Sequence, residues 1–176
     1  MTVPTYSASE ERHAVREGIV TGLLGAGVVA LFFLGVDLIR GVPGLTPSVL
    51  GEVFVLRRPS AVTTSIDMTA AALYTAAHLL AFAGFGLLIA ALARKGETSS
   101  LVRYAVVPVF LAFVIFFQGV LAVADETTRG LFPMWSVLTA NLLAAAAMAW
   151  YVWRQHPRMR SAYRDAPLGA PEAARE

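Results

Sequence analysis

The chain has no cysteine among its 176 residues. Disulfide exchange, thiolate catalysis and a thiol-ligated metal are therefore excluded, and redox compartment leaves no trace. Histidine is almost as scarce: His13, His78 and His156 are the only three. His13 and His156 fall in polar flanks, which excludes a transmembrane haem held by two histidines of one chain. No H-E-x-x-H, G-x-S-x-G or G-x-x-x-x-G-K-[ST] pattern occurs, so the common zinc, nucleophile-elbow and phosphate-loop chemistries lack their residues. Gly22 to Gly27 is glycine-rich but sits inside an apolar run, where a phosphate cradle has no place. Charge is the remaining shortage, at 15% of residues against about 25% in a typical soluble domain.

What is abundant is apolar. Hydrophobic residues make up 57% of the chain and the mean hydropathy is +0.64, whereas soluble domains are roughly 45–50% apolar. The length allows one domain. A helix crosses a hydrocarbon core roughly 30 Å thick with about 20 apolar residues, and the runs at about 18–39, 68–93, 104–124 and 133–153 meet that length. The expected fold class is an all-α integral membrane protein with four transmembrane helices in an antiparallel bundle. Residues 1–17 and 154–176 flank the 18–153 domain on one side, and 40–67 form a long loop on the other. The first run exceeds a signal h-region of roughly 7–15 residues and no A-x-A site follows it, so it is expected as a retained span.

Local punctuation supports these limits. Thr64 and Asp67 fit a capping box for the second helix, Pro133 fits the first turn of the fourth, and Arg94-Lys95-Gly96 reads as the second helix's stop. Tyr74, Tyr104, Trp135, Trp150, Tyr151 and Trp153 fall near span ends, at headgroup level. Phe32, Phe33, Phe82, Phe116 and Phe117 are expected in the core or facing lipid.

Basic residues are asymmetric. The side holding the termini carries Arg12, Arg16, Arg94, Lys95, Arg103, Arg154, Arg158, Arg160, Arg164 and Arg175; the other carries Arg40, Arg57, Arg58 and Arg129. The positive-inside rule then predicts cytoplasmic termini and a multi-pass protein of the cytoplasmic (inner) membrane. The pI near 9.3 is a membrane-flanking bias, so nucleic acid is not expected as a partner. Arg154, Arg158, Arg160 and Arg164 form a juxtamembrane cluster suited to topology or to anionic headgroups, at about 1 kcal/mol per residue. The chain past Asp165 and the first eight or so residues lack an apolar stripe, so disorder is expected there.

The 40–67 loop is longer than the usual structureless connection. Thr46-Pro47 reads as a helix start, and Ser48 to Leu56 as a short helix lying at the outer interface. Phe32-Phe33-Leu34-Gly35-Val36 resembles Phe116-Phe117-Gln118-Gly119-Val120, and Ala77-His78-Leu79-Leu80-Ala81 resembles Ala140-Asn141-Leu142-Leu143-Ala144. This suggests a weak internal repeat of two helical hairpins, which would make His78 and Asn141 equivalent.

Polar side chains inside a span are costly and usually face the bundle interior. His78, Gln118 and Asn141 fall in the outer halves of their spans, with Asp37 and Tyr74 further out. Together they form either a polar layer of interhelical hydrogen bonds or a small site. In a site His78 would carry a proton or ligate a cofactor, Gln118 and Asn141 would bond a substrate, and Asp37 would supply negative charge. No carboxylate lies deep in any span, which disfavours a carboxylate-driven pump. Asp125, Glu126 and Arg129 read as a solvated rim. Small residues line helix faces: Gly18, Gly22 and Gly25 on the first, Ala77, Ala81, Gly84, Leu88 and Ala91 on the second, and Ala140 and Ala144 to Ala147 on the fourth.

No catalytic residue, metal ligand or cofactor emerges from these patterns. The expected function is that of a small polytopic membrane protein, a structural or accessory subunit packing against lipid or partner helices as a homo-oligomer or in a larger complex. The alternative is a small transporter or ligand-binding membrane protein using the polar layer.

Overall fold

The computed structural model describes residues 8–58, 65–124 and 126–165. Among the described residues every regular element is helical: α1 (Ala8–Ile39), α2 (Leu45–Leu50), α3 (Met68–Thr98), α4 (Ser100–Ala122), α5 (Glu126–Leu131), α6 (Met134–Gln155) and α7 (Pro157–Asp165). A π-helical turn, Gly51–Val55, continues α2. The helices α1, α3, α4 and α6 are long and apolar enough to cross a membrane, with stretches reaching mean hydropathies of 2.4, 2.1, 2.5 and 1.4. At most 39% of any such stretch is buried inside the protein. Leu31, Leu80, Leu111 and Phe116 stand exposed, a pattern that water penalises and lipid satisfies. The four spans mark a multi-pass membrane protein.

The α1–α3 contact depends on missing side chains. A Cβ on Gly18 would lie 2.7 Å from the Leu87 Cα, and one on Gly22 would run into the Phe82 carbonyl. From the other side, a Cβ on Gly86 would collide with the Gly18 carbonyl and the Gly22 backbone nitrogen. The α1 glycine face therefore packs within the bundle, and the surface it meets is not the small-residue stripe of α3. Ala77, Ala81, Gly84, Leu88 and Ala91 are all exposed, and the packed face of α3 runs through Phe82, Gly86, Ile89, Ala90 and Ala93. In a helix that is apolar all round, periodicity does not say which face turns inward.

On α6 the buried line is Ala140, Asn141, Ala144, Met148 and Val152. Gly25 leaves room there for the Met148 sulfur and the Phe82 ring. Aromatic rings complete the core. Phe85 stacks on Phe113 at 4.1 Å, and Phe82 meets Phe113 edge-on at 5.3 Å. Phe82 and Phe33 are buried, whereas Phe116 is exposed. Phe32–Phe33 and Phe116–Phe117 both pack edge-on, at 5.3 and 5.5 Å, but Ala77 and Ala81 are exposed where Ala140 and Ala144 are fully buried.

Several ends fall elsewhere than the sequence suggests. α3 continues past Arg94-Lys95-Gly96 to Thr98, because Gly96 packs its bare backbone against Arg103, where a Cβ would lie 3.1 Å from the Arg103 Cα. Ser99, extended at φ −118° and ψ 118°, then serves as both the end of α3 and the start of α4. Asp67 is itself the N-cap of α3, its carboxylate accepting from the backbone N–H groups of Thr69 and Ala70. Thr64 lies outside the described residues. Pro133 precedes α6 as its N-cap, one position ahead of the expected first turn.

The loop helix starts at Leu45, after Gly44 at φ 90°, so Thr46 sits inside it and does not cap it. Three contacts fasten this segment: Asp37 to Thr46, the Ser48 hydroxyl accepting from the Asp67 N–H at 2.9 Å, and Gly51 pressed against the Ala70 backbone. In the basic tail, Pro157–Asp165 is ordered as α7 with Met159 buried. Residues 166–176, expected to be disordered, and Asp125 lie outside the described residues.

Candidate functional site

The polar layer divides when placed in three dimensions. Asp37 on α1 and Tyr74 and His78 on α3 line one cavity of about 240 Å³ at the end of the bundle that carries α2. Its walls are mostly apolar, from Val29, Ala30, Phe33 and Leu34 on α1 and Gly44 and Pro47 beside α2. Ala30, Leu34 and Thr75 are exposed, so the cavity opens at the outer, lipid-facing side of α1 and α3.

Asp37 is fully buried. Its carboxylate accepts the Thr46 backbone N–H at 2.8 Å and the Thr46 hydroxyl at 2.7 Å. The negative charge thus acts as a cap for α2, satisfying an N–H of its first turn. His78 directs Nε2 to the Ala26 carbonyl at 3.3 Å. Its ring stacks on Tyr74 at 5.7 Å and leans on Phe82 at 4.6 Å. With Nε2–H donating, the neutral imidazole leaves Nδ1 as an acceptor.

Gln118 and Asn141 do not line this cavity. The Gln118 amide donates to the Met134 carbonyl at 3.3 Å, joining α4 to the start of α6, and its Oε1 is buried with no partner among the described residues. Asn141 is buried on α6, and its Nδ2 likewise has no partner among the described residues. The five residues therefore make a cavity of three and two separate interior amides.

The opposite end, where α1 begins and α6 ends, holds a cluster that sequence reasoning missed. His156, just past α6, is only 5% exposed. Its Nε2 meets Glu17 of α1 and its Nδ1 meets Glu97 of α3, each at 2.7 Å. Only the imidazolium supplies a proton to both carboxylates. The Glu17 hydrogen bond, helped by that of Glu97, outweighs burial and raises the His156 pKa above its usual 6.5. Each residue sits at the edge of an apolar run, where a charge ordinarily reads as a solvated flank. The available signal was that a shared end for both termini brings positions 17, 97 and 156 together.

Arg103 is also buried there, in place of the flanking position expected of it. Its Nε donates to the Gly96 carbonyl at 3.0 Å and its Nη1 to the Ala162 carbonyl at 2.7 Å. A cation at the ends of α3 and α7 meets the carbonyl-rich poles of both helices. The Tyr163 hydroxyl returns a bond to the Arg103 carbonyl at 2.7 Å. Of the expected headgroup residues, Arg154, Arg158 and Arg160 are exposed, and the Arg154 guanidinium lies 4.5 Å from the Trp150 ring centre. The Arg164 side chain lies outside the described residues.

Among the described residues no group of three or more His, Cys, Asp or Glu is placed to hold a metal ion. The cavity can bind a small apolar body and hydrogen-bond it at His78 or Tyr74, and the His156 cluster can bind a proton. Comparison with protein families, curated proteins and solved structures finds no match to this chain.

Proposed function

We propose that this protein is a small accessory subunit of a membrane assembly, presenting α3 to a partner transmembrane helix. The observation that supports this most is the face of Ala77, Ala81, Gly84, Leu88 and Ala91, which is exposed along α3, where a Cβ on Gly84 would meet open space. Lipid is as apolar as leucine, so helices associate where small residues let backbones approach. Most of the interior polar groups are engaged within the chain itself: Asp37 by Thr46, His78 by Ala26 and Gln118 by Met134. That suits a scaffold better than a transport path.

In this reading the four spans form an antiparallel bundle, in keeping with Gly18 meeting Leu87 while Ala26 meets His78. Basic residues favour cytoplasmic termini in the cytoplasmic membrane. The α2 segment is a collar at the opposite interface, and Arg154, Arg158 and Arg160 meet lipid headgroups.

Purification from native membranes in mild detergent tests the assignment. Wild type should migrate in an assembly larger than the monomer, and Ala81→Leu/Gly84→Leu should run alone with unchanged thermal stability. A wild-type protein that runs alone would overturn it. A second reading, ligand binding, draws on the cavity lined by Asp37, Tyr74 and His78.

A further inference from the structure

We infer that the cavity between α1, α2 and α3 is a binding site for a small membrane-partitioning phenol, entering from the lipid side and hydrogen-bonded at His78. The inference rests on the ligand-binding reading and names its ligand class.

Size sets the first limit. An apolar cavity of about 150 Å³ accommodates benzene, so one of about 240 Å³ takes about ten non-hydrogen atoms on the same scale. Shape sets the second. The stacked Tyr74 and His78 rings form one wall and Phe33 contributes to another, surfaces that favour a flat ring through offset and edge contacts. From Val29 to Asp37 the lining spans about 12 Å at about 1.5 Å per residue, room for a ring with a short substituent.

Polarity sets the third. Asp37 is fully buried and each of its carboxylate oxygens already accepts from Thr46. His78 holds Nε2 to the Ala26 carbonyl, and Nδ1 has no hydrogen-bond partner among the described residues. A free acceptor at His78, beside the Tyr74 hydroxyl and within mostly apolar walls, selects a ligand that carries one donor. A phenol supplies a ring, a donor and an uncharged body that dissolves in lipid. The exposed positions of Ala30, Leu34 and Thr75 provide its entry.

The test uses the full chain in nanodiscs and a diazirine-tagged phenol whose attachment point is read by mass spectrometry. Competition is measured with 4-propylphenol and with butylbenzene, which match in heavy-atom count and differ in the hydroxyl. Labelling is expected on the residues lining the cavity, with 4-propylphenol competing about ten-fold better, the worth of one hydrogen bond. His78→Phe keeps the ring stack and should erase that preference without weakening butylbenzene. Ala30→Phe fills the cavity and should remove both. Tyr74→Phe, which leaves the His78 acceptor, should retain the preference, and it secures the comparison if His78→Phe fails to fold. Equal competition by the two probes, both lost in Ala30→Phe, would overturn the phenol and leave a general apolar site. Labelling indifferent to Ala30→Phe would overturn the ligand-binding reading as well.

Discussion

Asp37 and Thr46 are joined twice, the carboxylate of one taking both the backbone N–H and the hydroxyl of the other, at 2.8 and 2.7 Å. This pair holds the loop helix to the end of α1. Hydrogen bonds to a charged group contribute about 1.5–3 kcal/mol each. Thr46→Val keeps the shape and the backbone bond, so it should lose one such increment. Asp37→Ala should lose more and should also speed proteolysis of the 40–67 connection, which limited digestion would show. If digestion of that connection is unchanged in Asp37→Ala, the pair does not anchor α2.

Two glycines on α3 should respond in opposite ways. Gly86 is wedged against the backbones of Gly18 and Gly22, whereas Gly84 faces open space. Gly86→Val should destabilise the isolated protein by about 1–3 kcal/mol or more, as overpacking does, and Gly84→Val should leave it nearly unchanged. Thermal melts of the two variants in one detergent check this; equal losses would contradict the α1–α3 crossing.

Stability should depend on pH through His156. Its folded-state pKa lies above the usual 6.5 because Glu17 and Glu97 accept from the imidazolium. The stabilisation is then fully present below the unfolded value and is lost as pH rises from about 6.5 through the folded value. Melting temperature measured across that range should fall, and His156→Gln should flatten the fall. Removing the partner of two partly buried carboxylates also destabilises, so the variant should be less stable at acidic pH. A flat wild-type profile would rule out the imidazolium bridge.

Docking of α7 should depend on Arg103. The guanidinium reaches the Gly96 and Ala162 carbonyls together, a forked geometry that the lysine ammonium does not reproduce. Arg103→Lys should therefore loosen α7 and open it to trypsin at Arg158 and Arg160, while the four spans stay intact. Hydrogen exchange over α7 gives the same readout, and unchanged protection would show that Met159 and Tyr163 packing suffices.

The interior amides and the cluster at the terminal end show where sequence reasoning stops. Position along the spans put His78, Gln118 and Asn141 near one level with Asp37 and Tyr74 further out, yet it is Asp37, Tyr74 and His78 that line one cavity. Gln118 and Asn141 have the same depth but lie on α4 and α6, and depth along a helix does not specify rotation about its axis. His156 fell in a polar flank by sequence, because its burial against Glu17 and Glu97 depends on partners distant in the chain.

By itself the sequence determined the four apolar spans, their approximate limits and the glycine face of α1, since length, hydropathy and residue size act locally. Tertiary structure alone decided which face of α3 turns inward, that Asp37 caps α2, that Arg103 is buried, and that His156 links two carboxylates. The reason is that a helix apolar on every side carries no amphipathic signal of its orientation. Its rotation is set by backbone contacts at Gly18, Gly22 and Gly86 and by the few hydrogen bonds that lipid cannot replace.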